Sequence, residues 1–151
     1  MKKRLLRVGI GVLAVGLLLA AWAFIIEPAR LVERHETLAL PGWPATLSGF
    51  KVALVSDLHI GAPFIDADAI TAMRARIDAW QPDLILIAGD VLVGHEPGAK
   101  VVAPVDAAAM LRGWTAPHGV WAVLGNHDWW VDGEGTTRAL EAVGVRVLEN
   151  Q

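Results

Sequence analysis

The chain has 151 residues, 16 acidic against 13 basic side chains for a formal net charge of −3, and no cysteine. That length holds one domain at most, and the absence of thiols excludes disulfides and thiolate-bound metal. Lys2, Lys3, Arg4 and Arg7 precede every acidic residue, so from Glu27 onward nine basic side chains face 16 acidic ones, a net −7 with no basic stripe for nucleic acid.

Val8 to Ile26 is 19 positions without a charge. A run of that length spans a bilayer as a helix, and its lack of a polar face argues against a buried helix of a soluble domain. Two readings follow: an uncleaved signal anchor, or a secretory signal peptide with Ala21-Trp22-Ala23 as the small-x-small cleavage site. The length of the run, and the Phe24-Ile25-Ile26 that would follow a cut, favour the anchor. The basic flank stays on the cytoplasmic side. Residues 1–7 are therefore expected in the cytoplasm, residues 8–26 as a single pass of the inner or cytoplasmic membrane, and the remaining chain outside the cytoplasm. Residues 27–47 read as a membrane-proximal linker with Pro28, Pro41 and Pro44, in which Thr37 to Leu40 suits a short edge strand.

From residue 48 the pattern is regular. Lys51 to Ser56 is a first strand. Asp66 caps a helix running to about Trp80, with Asp68 in its first turn and Ile70, Met73, Ile77 and Trp80 on one face. Gln81-Pro82-Asp83 ends it, and Leu84 to Ala88 is a second strand. Pro104 to Arg112 suits a short helix, Gly119 to Leu124 a third strand, and Thr136 to Val143 a further helix with Gly144 as its C-terminal cap. Val145 to Leu148 opens a fourth strand. The alternation predicts an α/β fold layered around a mostly parallel sheet. Because a strand has only begun where the sequence stops, residues 48–151 are expected to be a partial domain, incomplete at the C-terminus.

Three apolar runs end in polar motifs: the first at Ser56-Asp57-Leu58-His59, the second at Gly89-Asp90, the third at Gly125-Asn126-His127-Asp128. Carboxyl ends of parallel strands gather at one edge of a sheet, where ligands bind. Asp57, His59, Asp90, Asn126, His127 and Asp128 are thus expected together, and carboxylate, imidazole and amide oxygen suit a borderline or hard divalent cation. Singly, each has a plainer reading: a strand-end carboxylate for Asp57, an Asx-turn for Asp90, a left-handed turn for Asn126 and a loop histidine for His127. Their order and strand context argue jointly for the site.

In that order, Asp57-x-His59, Gly89-Asp90 and Gly125-Asn126-His127-Asp128 resemble the first three motifs of the calcineurin-like metallophosphoesterases. Leu47-Ser48-Gly49-Phe50-Lys51-Val52 ahead of them resembles the membrane-anchored bacterial branch. The resemblance implies the layered α/β metallophosphoesterase fold and two divalent metal ions, Mn, Fe or Zn. Asp57 and His59 would bind the first, Asp90 would bridge both, and Asn126 would bind the second through its amide oxygen. Two such metals activate water and clamp a phosphoryl group for in-line attack, and His127 would serve the leaving oxygen as proton donor or charge stabiliser. The implied partner is a phosphoester substrate. A phosphodiester or a lipid-linked pyrophosphate is favoured, motivated by the anchor and the Trp129-Trp130 pair.

The sequence departs from that pattern. The family's later motifs, a His and then Gly-His-x-His, are missing: the five histidines are His35, His59, His95, His118 and His127. Val93 stands where related phosphatases carry an Asp that orients the catalytic histidine, and Asp128 is the candidate for a similar supporting role. With three ligands for one metal and two for the other, weak metal binding and little turnover are expected from these residues alone. A truncated or degenerate non-catalytic relative and a membrane-tethered interaction module are the rival readings. His95 and His118 read as loop histidines with cleft-lining as the alternative, Trp114 and Trp121 as core, and Asp132 and Glu134 as a solvated loop.

Overall fold

A computed structural model describes residues 2–94 and 98–150, in two compact units, Met1–Glu36 and Thr37–Gln151. In the first unit, α1 (Lys2–Ala21) runs into one turn of π-helix at Trp22–Ile26. The continuous helix has 25 residues and a mean hydropathy of 2.5 over its most apolar window, and none of that window is buried. At 1.5 Å per residue it is about 37 Å long, enough for a hydrocarbon core of roughly 30 Å. By length and composition it can cross a membrane.

Among the described residues, the second unit has four strands, β1 (Val52–Val55), β2 (Leu84–Ala88), β3 (Val120–Val123) and β4 (Val145–Val147). All pair in parallel, in the order β1-β2-β3-β4. The crossovers are α2 (Ala67–Trp80), α3 (Pro104–Met110) and α4 (Asn126–Ala142). When sequential strands are joined by crossovers of one hand, every helix falls on the same face. Burial follows that rule by parity. Ile85, Ile87, Val120, Ala122 and Val145 are buried with Ile70, Leu111, Trp114 and Leu140 in one core cluster. The alternate residues Val52, Leu54 and Val123 are 39, 68 and 43% exposed. Parallel sheets are ordinarily covered on both faces, so one face of this sheet is apolar and open.

Local chemistry sets the boundaries. Asp66 caps α2 by accepting the Ala69 N–H at 3.0 Å, and Gln81 ends it in the left-handed region at φ 55°. Pro104 sits in the first turn of α3, where its missing N–H costs nothing.

The structure departs from three expectations. Thr37 to Leu40 forms no strand: Leu38 and Leu40 are 77 and 52% exposed and no strand pairs with them, so alternation there has nothing to bury against. The last helix begins at Asn126 rather than Thr136, taking in residues read as loop. It is two segments joined at Asp132, whose φ of −170° and ψ of 87° are not helical. Asp132 starts the second segment, since its Oδ1 accepts the Gly135 N–H at 2.8 Å and its carbonyl accepts the Thr136 hydroxyl at 2.7 Å. Trp121 also differs from the core reading: it lies half-buried under the Arg146 guanidinium, 4.9 Å from its ring centre. Trp114 is core, at 4% exposed.

Candidate metal centre

Strand order decides which motifs can meet. β1, β2 and β3 are neighbours, so the motifs after them lie side by side at the carboxyl edge of the sheet. Pairing of β1 with β2 pauses after Val55–Ile87 and resumes in the same register at a bridge between Ile60 and Leu92. Asp57, His59 and Asp90 occupy that interval, with φ of 53, 43 and 49°. Left-handed backbone is uncommon for residues with a Cβ, and three such residues in one small region is the kind of strain that gathers at functional sites. The arcs are tied across the gap. Asp57 N–H donates to the Gly89 carbonyl at 3.2 Å, His59 N–H to the Asp90 carbonyl at 2.9 Å and Ile60 N–H to the Val91 carbonyl at 2.9 Å.

The result is a cluster. One ligand atom from each of Asp57, His59 and Asp90 lies within 4.8 Å of the others. Asp57 is exposed and His59 half-buried. The Ser56 hydroxyl donates to Asp57 Oδ2 and, more weakly, to the Ala88 carbonyl at 3.4 Å. His59 Nδ1 is buried with no hydrogen-bond partner, an arrangement disfavoured unless something else satisfies the nitrogen. An imidazole with an unsatisfied nitrogen beside two carboxylates fits a divalent cation of borderline softness.

The third motif approaches from β3. Glycine is needed here for proximity. A Cβ on Gly89 would sit 2.9 Å from Gly125 N, and one on Gly125 would fall onto the Asp90 carboxylate. With the two backbones in contact, Asp90 Oδ1 accepts the His127 N–H at 2.9 Å. The His127 ring meets the His59 ring edge to face with centres 4.7 Å apart. Asn126 is exposed at the first position of α4, and His127 is half-buried. Asp128 is fully buried, and its carboxylate accepts backbone N–H groups of both loops: Leu92 at 2.9 Å, Gly125 at 2.9 Å and Val91 at 3.3 Å.

Trp130 lies beside the cluster, its ring centre 4.8 Å from that of His127, and is 70% exposed. Trp129 packs on Gly133, where a Cβ would strike its ring. His118 is at the opposite edge of the sheet, just before β3, in ring contact with Phe50 at 5.1 Å, and so does not line the centre. His95 lies outside the described residues. The contributions of Ser56, and of Gly125 as the space for Asp90, were not singled out from sequence; the adjacency of Ser56 to Asp57 was the available signal.

Fold and cluster together give a parallel α/β domain with a carboxylate–imidazole cluster, a candidate metal centre, at its strand ends. The sequence pattern of the calcineurin-like phosphoesterases matches residues 50–147, and the chain belongs to that family of metal-dependent hydrolases. It is 30% identical over 142 residues to the UDP-2,3-diacylglucosamine pyrophosphatase LpxG of Chlamydia trachomatis, covering 91% of this chain and 42% of that protein. It is 28% identical over 147 residues to the uncharacterized metallophosphoesterase YkuE of Bacillus subtilis, covering 95% and 50%. An uncharacterized metallophosphoesterase of Aquifex aeolicus is 27% identical over 139 residues, covering 91% and 49%. The chain spans about half the length of these curated relatives.

Proposed function

We propose that this chain carries the first part of a membrane-anchored, two-metal phosphoesterase, with Asp57, His59 and Asp90 as metal ligands and Asn126 as a further ligand through its amide oxygen. The observation that carries the reading is the cluster itself: two carboxylates and an imidazole with ligand atoms within 4.8 Å of one another, each residue on left-handed backbone. Divalent cations bound there would polarise a phosphoryl group and lower the pKa of water. The protein's own residues do the rest. Asp90 carries negative charge between the β1 and β3 loops and holds the His127 backbone in place. The His127 imidazole, at the rim of the cluster, holds a proton for the leaving oxygen. Ser56 orients Asp57.

A pyrophosphate or phosphodiester joined to an apolar group is the favoured substrate. Three features support it: the activity named for the chlamydial relative, the apolar N-terminal helix, and the exposed Trp130 beside His127. An indole face suits a flat or apolar substituent. The helix as an anchor, with its basic end in the cytoplasm, would place the centre outside the cytoplasm.

The test is Mn2+-dependent hydrolysis of an aryl phosphodiester and of a UDP-sugar pyrophosphate linkage, in detergent micelles, with an Asp90→Asn control. Asparagine tolerates left-handed backbone and can still accept the His127 N–H, so the variant removes charge with little change in shape. Turnover lost in the control supports the reading. Equal turnover in both proteins refutes it. Metal bound without turnover of either substrate by a protein that extends this chain to the length of its curated relatives would favour the non-catalytic reading instead.

A further inference from the structure

Asp128 is the residue after His127, yet it points away from solvent and is 0% exposed. A buried carboxylate is costly unless donors surround it. Here three backbone N–H groups do so: Oδ1 accepts from Leu92, and Oδ2 from Gly125 and Val91. The Gly125 bond alone would be an ordinary cap for α4. The bonds to Val91 and Leu92 reach 37 and 36 residues back in the chain, and a cap does not require them.

Those two N–H groups immediately follow Asp90, which sits in a strained conformation at φ 49°. Asp90 in turn accepts the His127 N–H. The β2 and β3 loops therefore exchange aspartates, each held by the other loop's backbone, while His59 N–H ties the β1 loop to the Asp90 carbonyl. Strain of this kind persists only where the surroundings over-determine it. The chemistry also asks for a carboxylate. Three donors converge on two oxygens, and an asparagine there would turn its own NH2 toward an N–H.

We infer that Asp128 is a positioning residue for the metal centre: it clamps Val91 and Leu92, thereby fixing Asp90 and His127 relative to each other before any cation is bound. The inference rests on reading Asp90 as a ligand, but the clamp itself is a property of the metal-free protein. Partners that orient metal ligands are commonly worth about 10–100-fold in metal affinity.

Two measurements on the full chain in detergent micelles test it. The first is hydrogen–deuterium exchange of the unsubstituted, metal-free protein. The Val91, Leu92 and Gly125 amides are expected to be protected before any cation is added. Free exchange at these amides overturns the inference, whatever the centre binds. The second is Mn2+ affinity and EPR line shape for the unsubstituted protein, Asp128→Asn, and Ile70→Ala, a core variant remote in sequence from the loops. Asp128→Asn is expected to weaken Mn2+ by about 10–100-fold and to alter the line shape, with Ile70→Ala leaving both unchanged. Unaltered affinity in Asp128→Asn, or an equal loss in Ile70→Ala, also overturns it. If Asp128→Asn fails to fold, the exchange measurement decides alone. If the unsubstituted protein binds no Mn2+, the metal reading fails while the exchange result still decides the clamp.

Discussion

Replacing Gly125 with alanine sets two effects against each other. The backbone at Gly125, φ −95° and ψ −179°, is open to any residue. Alanine should therefore stabilise by about 0.4–1 kcal/mol through the unfolded chain. Against this, its Cβ would fall onto Asp90 Oδ1 and lie 2.5 Å from the Asp90 backbone nitrogen. The carboxylate can swing aside only by releasing the His127 N–H, and the backbone atom cannot swing at all. Overpacking costs about 1–3 kcal/mol, and a lost charge-assisted hydrogen bond roughly 1.5–3 kcal/mol. The net expectation is a loss of about 1.5–5.5 kcal/mol, accompanied by loss of Mn2+ affinity because Asp90 is displaced. Gly144→Ala is the matched control. Its φ is +92° and nothing lies within 4 Å of its added Cβ, so it should cost only about 1–2 kcal/mol for left-handed backbone and leave Mn2+ binding intact. Urea unfolding followed by the fluorescence of the seven tryptophans, with a Mn2+ titration of each variant, reads both quantities. A Gly125→Ala protein no less stable than Gly144→Ala, or one that loses stability and keeps full affinity, would rule out the clash with Asp90.

Three further outcomes are expected. Ile87, 1% exposed, and Leu54, 68% exposed, lie on opposite faces of the sheet. Ile87→Ala should cost about 2–5 kcal/mol and Leu54→Ala less than about 1 kcal/mol in urea unfolding; equal costs would mean the open face is covered. Asp66→Ala should remove the α2 cap for about 1 kcal/mol, and no change in the unfolding midpoint would show that the Ala69 bond is idle. Leu13→Arg should disfavour membrane insertion by about 2.5–3.5 kcal/mol, and unchanged resistance to carbonate extraction would count against the helix as an anchor.

Much of the fold was legible because three apolar runs, each followed by a polar motif, leave little freedom: Val52–Val55, Leu84–Ala88 and Val120–Val123 became neighbouring parallel strands. The meeting of Asp57, His59 and Asp90 followed from strand order, which puts all three motifs at one edge. Less legible was the start of α4. Asn126-His127-Asp128 with two tryptophans, then Gly133 and Gly135, reads as loop, and the signals against that were Asp128 three residues after Gly125 and Asp132 three before Gly135. The open sheet face could be expected only from a partial sheet, not from the strands themselves. A continuous apolar strand does not say whether one face or both is covered. Nor did any glycine mark the left-handed backbone at Asp57, His59 and Asp90, where tertiary hydrogen bonds impose the conformation.

The proposed function depends on Asp57, His59 and Asp90 acting as a divalent-cation site. Equilibrium Mn2+ binding to the metal-free chain, with Asp57→Asn, His59→Ala and Asp90→Asn alongside, tests it most directly. Saturable binding to the unsubstituted protein is expected, weakened by at least tenfold in each variant. Binding that none of the three substitutions changes, or no binding at all, would contradict it.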